Sequence, residues 1–120
     1  MPASIAIIDD DVDVRESTRQ LLRSRGYLTV AFASAEEFLK SEKAAQVNCI
    51  VSDVRMPGMG GVGLQARLID RGQPIPIIFV TAFPEPKVQD QVLAAGAFGF
   101  LIKPFAEANL INCIETALKH

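Results

Sequence analysis

Three short runs of this chain are mostly apolar and do not alternate: IAII at residues 5–8, CIVS at 49–52 and IIFV at 77–80. A strand with one face in water alternates apolar with polar residues, so runs like these belong to central parallel strands covered on both faces. Parallel neighbours need a crossover between them, and helical patterns fill the intervening sequence. Val14, Thr18, Leu21 and Leu22 form one apolar stripe, and Leu110, Ile114, Ala117 and Leu118 form another, each at spacings i, i+4, i+7, i+8. Weaker runs at 30–33 and 98–102 bring the strands to five. Strand and helix alternate through the chain with short connections, which defines an α/β fold: a doubly wound parallel sheet of five strands with five helices.

The turn residues agree with that division. Asp11 can cap the first helix, Ser34 with Glu37 reads as a capping box for the second, and Gly26, Gly72 and Gly96 fall where helices should stop. The third helix is expected at 62–71, with a start weakened by Gly60, Gly61 and Gly63. At 120 residues, 49% of them hydrophobic, the chain is read as one domain over 1–120 with a core of its own. No apolar run approaches the roughly 18 residues that span a bilayer, and the N-terminus lacks the charged and apolar segments of a secretory signal, so a soluble protein without membrane contact is expected. Cys49 and Cys113 match no metal or redox spacing and read as buried reduced thiols. A net charge of −2 gives no basic footprint, and no nucleic-acid binding by this chain is expected.

In open α/β sheets ligands bind beyond the carboxyl ends of the strands. The first strand runs into Asp9, Asp10 and Asp11, the third into Asp53, the fourth into Thr81 and the fifth into Lys103. Singly, each has a duller explanation as a turn residue, a strand end or a surface charge, and Asp11 is accepted as the helix cap. Jointly, Asp9, Asp10, Asp53, Thr81 and Lys103 would bring three carboxylates, a hydroxyl and an ammonium to one sheet edge. Crowded carboxylates repel unless a cation joins them, and oxygen-only ligands suit Mg2+.

The segments IIDDD, SDVRMPGMGG, VTA and LIKPF, in that order over nearly the whole chain, resemble the CheY-like receiver domains of two-component response regulators. The run DVRMPGMGG and Phe105 after Lys103-Pro104 look closest to receivers of FixJ-type transcription factors. The resemblance implies a flavodoxin-like sheet of order 2-1-3-4-5 and a cytoplasmic phospho-switch. Asp53 would be the phosphorylation site, taking its phosphoryl group from a partner histidine kinase. Asp10 and Asp53 would bind Mg2+ directly, with Asp9 acting largely through water and the backbone carbonyl of Arg55 as a further ligand. Thr81 and Lys103 would each engage a phosphoryl oxygen, and the bond before Pro104 would be cis. Such a protein catalyses its own phosphotransfer and slow autodephosphorylation, rather than acting as an enzyme on a separate substrate. The resemblance further implies a homodimer through helix 4, strand 5 and helix 5, and a downstream DNA-binding domain outside this chain.

Three features carry two readings each. Phe100 matches the family's aromatic switch position, or is a core residue of the last strand. Arg55 and Phe83, two residues beyond Asp53 and Thr81, would shield the phosphate from water, or else Phe83 packs on the fourth helix while Arg55 points to solvent. Arg15, Arg19 and Arg23, at i, i+4, i+8, form a solvated helix face or a docking stripe for an acidic patch on the kinase.

Rival functions fit less well. A haloacid-dehalogenase-like phosphatase would use Asp9 and Asp11 as its DxD, but Asp13 stands where that family has Thr or Val, and no late acidic pair follows. A flavin carrier would need a Ser/Thr/Gly phosphate cradle after residue 8, where this chain is acidic. A non-phosphorylated interaction module would have no need of the complete set of site residues.

Overall fold

The computed structural model describes residues 2–119. Five strands, β1 (Ser4–Ile8), β2 (Leu28–Phe32), β3 (Cys49–Asp53), β4 (Ile77–Thr81) and β5 (Gly99–Ile102), alternate with five helices: α1 (Val12–Ser24), α2 (Ala35–Lys40), α3 (Gly61–Asp70), α4 (Pro86–Ala94) and α5 (Glu107–Leu118). A 3-10 turn, Glu42–Ala45, follows α2. All pairings are parallel, in the order β2-β1-β3-β4-β5.

Side chains alternate along each strand, so the unbroken apolar runs feed two cores at once. Ala6, Ile8, Ile50, Ile77 and Phe79 face α2, α3 and α4, where Phe38, Leu64, Leu68 and Val92 are buried. Ile5, Ile7, Cys49, Val51, Ile78 and Val80 face α1 and α5, meeting Leu22, Leu110, Ile111, Ile114 and Ala117. Both faces are dry, as the missing alternation requires. In α1 only Leu22 of the expected stripe is buried, whereas α5 buries Leu110, Ile114 and Ala117 of its own.

The sequence reading misplaces the bounds of three elements. β2 is Leu28–Phe32 rather than 30–33, because it is an edge strand whose register is set by its pairing with β1, Ser4 opposite Leu28 through Ile8 opposite Phe32, and Leu28 N–H also donates to the carbonyl of Ala3, just before β1, at 3.0 Å. Leu28 is 55% exposed and Thr29 polar, so hydropathy could not mark them. β5 begins at Gly99 rather than at Phe98. α3 starts and ends one residue early, at Gly61 and Asp70.

The three stop glycines all have positive φ, at 90°, 66° and 105°. Each lies one residue before an N–H that reaches back five residues: Tyr27 to Leu22, Gln73 to Leu68 and Ala97 to Val92. Asp11 caps α1 by accepting from the N–H groups of Asp13 and Val14. Ser34 accepts from Glu37 N–H at 3.1 Å, which is the forward half of the expected capping box. Among the described residues no helix is long and apolar enough to cross a membrane.

Candidate functional site

The carboxyl ends of β1, β3, β4 and β5 open on one cleft of about 340 Å³, lined by Asp9, Asp10, Asp11, Asp53, Arg55, Thr81, Ala82, Phe83 and Lys103. Parallel pairing puts these ends level. Asp53 lies opposite Val80 and Thr81 opposite Ile102, so these two end their strands, while Asp9 and Lys103 sit one step past the ends of theirs.

Lys103 ties the site together. Its Nζ donates to Asp9 Oδ2 and to Asp53 Oδ2, both at 3.2 Å. Lys103 N–H donates to the Thr81 carbonyl at 2.8 Å, and the Lys103-Pro104 bond is cis. Burial alone would pull the Lys103 ammonium down, but the Asp9 and Asp53 carboxylates outweigh it and hold its pKa above the ordinary value.

Asp9 is the buried carboxylate of the cluster, at 3% exposure. Burial pushes its carboxyl up and the Asp53 charge adds to the rise; the Asp11 N–H at 2.9 Å and Lys103 oppose it without cancelling it. The Arg15 guanidinium donates to the Asp9 carbonyl at 2.8 Å. Arg19 pairs with Glu16 at 3.4 Å.

Asp53 is half-buried, and Arg55 N–H donates to its Oδ1 at 3.2 Å. One oxygen is thus held by a main-chain donor and the other by an ammonium. Asp9, Asp10 and Asp53 present carboxylate oxygens all within 4.8 Å of one another. Hard oxygen donors in a group with one exposed member, Asp10, fit a hexacoordinate divalent cation such as Mg2+ that keeps several waters. Crowding of like charge around a buried Asp9 supplies the electrostatic reason to take one.

Thr81 is buried, and its hydroxyl oxygen accepts from Phe83 N–H at 3.1 Å, which leaves its own proton to donate. Phe83 is 69% exposed rather than packed on α4, and the Arg55 guanidinium lies 5.9 Å above its ring. Arg55 also pairs with Glu85. Arg55 and Phe83 form one rim of the cleft, with Glu85 behind Arg55. Phe100, opposite Phe79 in the β4–β5 ladder, is half-buried against the same core.

Sequence reasoning missed two acidic partners. Glu85 meets Arg55 across 30 residues, and Glu36 of α2 accepts from Met59 N–H at 3.2 Å across 23. No spacing rule joins residues on different elements. Cys49 is buried, with its thiol pushed up to about 12 by desolvation, whereas Cys113 is only half-buried. Neither faces the cleft.

A family model described as the response regulator receiver domain matches residues 5–115. Response regulator protein TmoT of Ectopseudomonas mendocina is 40% identical, over 96% of this chain and 52% of that protein. Transcriptional regulatory protein FixJ of Bradyrhizobium diazoefficiens is 36% identical, over 96% of this chain and 56% of that one. The solved structure of response regulator StyR superposes with a TM-score of 0.91 at 40% identity, covering 99% of this chain and 60% of StyR. FixJ-N superposes at 0.89 and 34% identity, covering 100% of this chain and 96% of its own. The chain spans about half the length of the curated relatives it matches.

Proposed function

This chain belongs to the response regulator receiver domain family, and from that membership we propose that Asp53 accepts a phosphoryl group from a partner histidine kinase. The observation that carries the reading is the Lys103 ammonium spanning Asp9 and Asp53 at 3.2 Å each, beside a third carboxylate and a hydroxyl. A structural ion pair would need one carboxylate, not three.

The chemistry divides among the side chains. An Asp53 carboxylate oxygen forms a bond to phosphorus as the donor's bond to that phosphorus breaks. Such a transfer asks mainly for alignment and for positive charge near the phosphoryl oxygens. Lys103 supplies one such charge, and the Arg55 N–H fixes the Asp53 carboxylate. Mg2+ would be held by Asp10, Asp53 and the Arg55 carbonyl, with Asp9 acting through water, and when bound would neutralise charge on the phosphoryl oxygens. Thr81 then turns its hydroxyl proton to a phosphoryl oxygen. The space it leaves admits the Phe100 ring, and the surface of α4, β5 and α5, roughly residues 87–119, changes with it.

Arg55 and Phe83 shield the phosphoryl group from water approaching in line. The domain 1–120 thereby controls an output, which the relatives' names suggest is transcriptional, through a DNA-binding region beyond this chain or a homodimer formed by the α4-β5-α5 surface in the cytoplasm. Incubation with acetyl phosphate and Mg2+ tests the proposal: one phosphoryl group should be added, and chelation of the metal or Asp53→Asn should abolish the gain. Undiminished phosphorylation of the Asp53→Asn variant would overturn it.

A further inference from the structure

The loop between β3 and α3, residues 54–60, carries Arg55 past the site. At its base it is closed by Gly61 N–H to the Val54 carbonyl at 2.9 Å, and midway the Met56 side chain is buried in the core. Its far end is held from another element altogether. Glu36, in the first turn of α2, accepts from Met59 N–H through Oε2 at 3.2 Å. The fit is close, because a Cβ on Gly58, whose φ is +76°, would stand 2.5 Å from that same oxygen. The other Glu36 oxygen is shielded from solvent. A glutamate whose carboxylate lies against a glycine held at positive φ and bonds the N–H of the residue after it is poorly explained as a surface residue.

We propose that Glu36 is a positioning residue for the site: by clamping the tip of the 54–60 loop it keeps Arg55 N–H on the Asp53 carboxylate, and so sets how tightly the site takes a divalent cation. The last clause rests on the metal-dependent phosphoacceptor reading above; the first does not. The mechanical link is short. Between the core-anchored Met56 and the clamped Met59 lie only Pro57 and Gly58, a proline with fixed φ and a glycine with a wide range. Without the clamp the glycine is free to swing, and the loop on the Arg55 side loses its outer support. The carboxylate is held in its charged form by its own N–H first and by Met59 N–H next, both of which lower its pKa.

Charge and reach separate in two variants. Glu36→Gln keeps an acceptor oxygen at the same length without the charge, and Glu36→Asp keeps the charge but withdraws it by one methylene. Amide exchange in the metal-free protein is the first readout. In Glu36→Asp, exchange at Met59 and Arg55 should rise about fivefold, the change that loss of one hydrogen bond brings, with Ile50 and Ser52 on β3 unaffected. Glu36→Gln should exchange like the wild type at both positions. Isothermal titration with Mg2+ is the second readout: affinity should fall at least about threefold in Glu36→Asp, while the acetyl phosphate rate at saturating Mg2+ changes less than about twofold.

Faster exchange at Met59 with Arg55 unchanged would overturn the proposal, as would uniform acceleration across β3, which marks a merely structural role. Wild-type protein that takes up neither Mg2+ nor a phosphoryl group would refute the function above, and exchange at Arg55 would still decide the role of Glu36.

Discussion

Replacing Gly61 with alanine sets two effects against each other. In a helix the exchange normally stabilises by about 0.5–1 kcal/mol, because glycine loses more backbone entropy on folding. Gly61 is the first residue of α3 and buried, so that gain is on offer. Against it, the new Cβ would lie 2.6 Å from Phe79 Cε1 and 3.0 Å from the Asp53 carbonyl oxygen. Phe79 is 0% exposed in the middle of the sheet, and the carbonyl belongs to β3. Neither neighbour is a flexible tip that can step aside. Overpacking of this kind costs about 1–3 kcal/mol and outweighs the helix gain. A net loss of about 1–2 kcal/mol should lower Tm by roughly 3–10 °C for a domain of this size. Thermal unfolding followed by circular dichroism in the presence of chelator measures it. Because the displaced carbonyl is that of Asp53, the acetyl phosphate rate should fall severalfold in the same variant. A Gly61→Ala protein that melts at or above the wild-type temperature would refute the reasoning, since it would mean that α3 can move off β3 at no cost.

Phe83→Gly and Arg55→Ala should each shorten the phospho-Asp53 lifetime severalfold, about 1 kcal/mol of barrier, and Glu85→Gln, which frees Arg55, should lengthen it; unchanged autodephosphorylation rates in all three would show that this rim does not shield the phosphate. The raised Asp9 pKa means that the folded state binds the proton more readily than the unfolded one, so above the ordinary value of 3.8 stability falls as pH rises through the Asp9 titration. Metal-free Asp9→Asn should therefore melt above the wild type at neutral pH, with the gap narrowing as pH falls toward 3.8, and a lower Tm would contradict the buried-charge account. On phosphorylation, amide shifts should spread from Thr81 and Phe100 over residues 87–119; shifts confined to the residues touching Asp53 would sink the switch.

The parts of the fold legible in the sequence are those that physics writes locally. Unbroken apolar runs such as IIFV mark strands buried on two faces, and Gly26, Gly72 and Gly96 mark helix ends because only glycine takes that backbone cheaply. The site was legible for a related reason: a polar residue directly after a buried run must lie at a strand end, and parallel strands align those ends. β2 was misread because its hydrogen-bond register with β1, not its hydropathy, fixes where an edge strand begins. The contacts of Glu36 and Glu85 were hidden because they depend on which loop of one element faces which residue of another. Gly61 was read as a weakness of α3, whereas its missing side chain is what lets the helix close on Phe79 and Asp53.

Borohydride reduction of the acetyl phosphate-treated protein, followed by peptide mass mapping, tests the central assignment most directly, because it converts an acyl phosphate into a stable alcohol at the residue that carried it. The account predicts homoserine at position 53 alone, dependent on Mg2+ and absent after Asp53→Asn. Reduction product at Asp9, Asp10 or Asp11, or none at position 53 in protein that has gained a phosphoryl group, would contradict it.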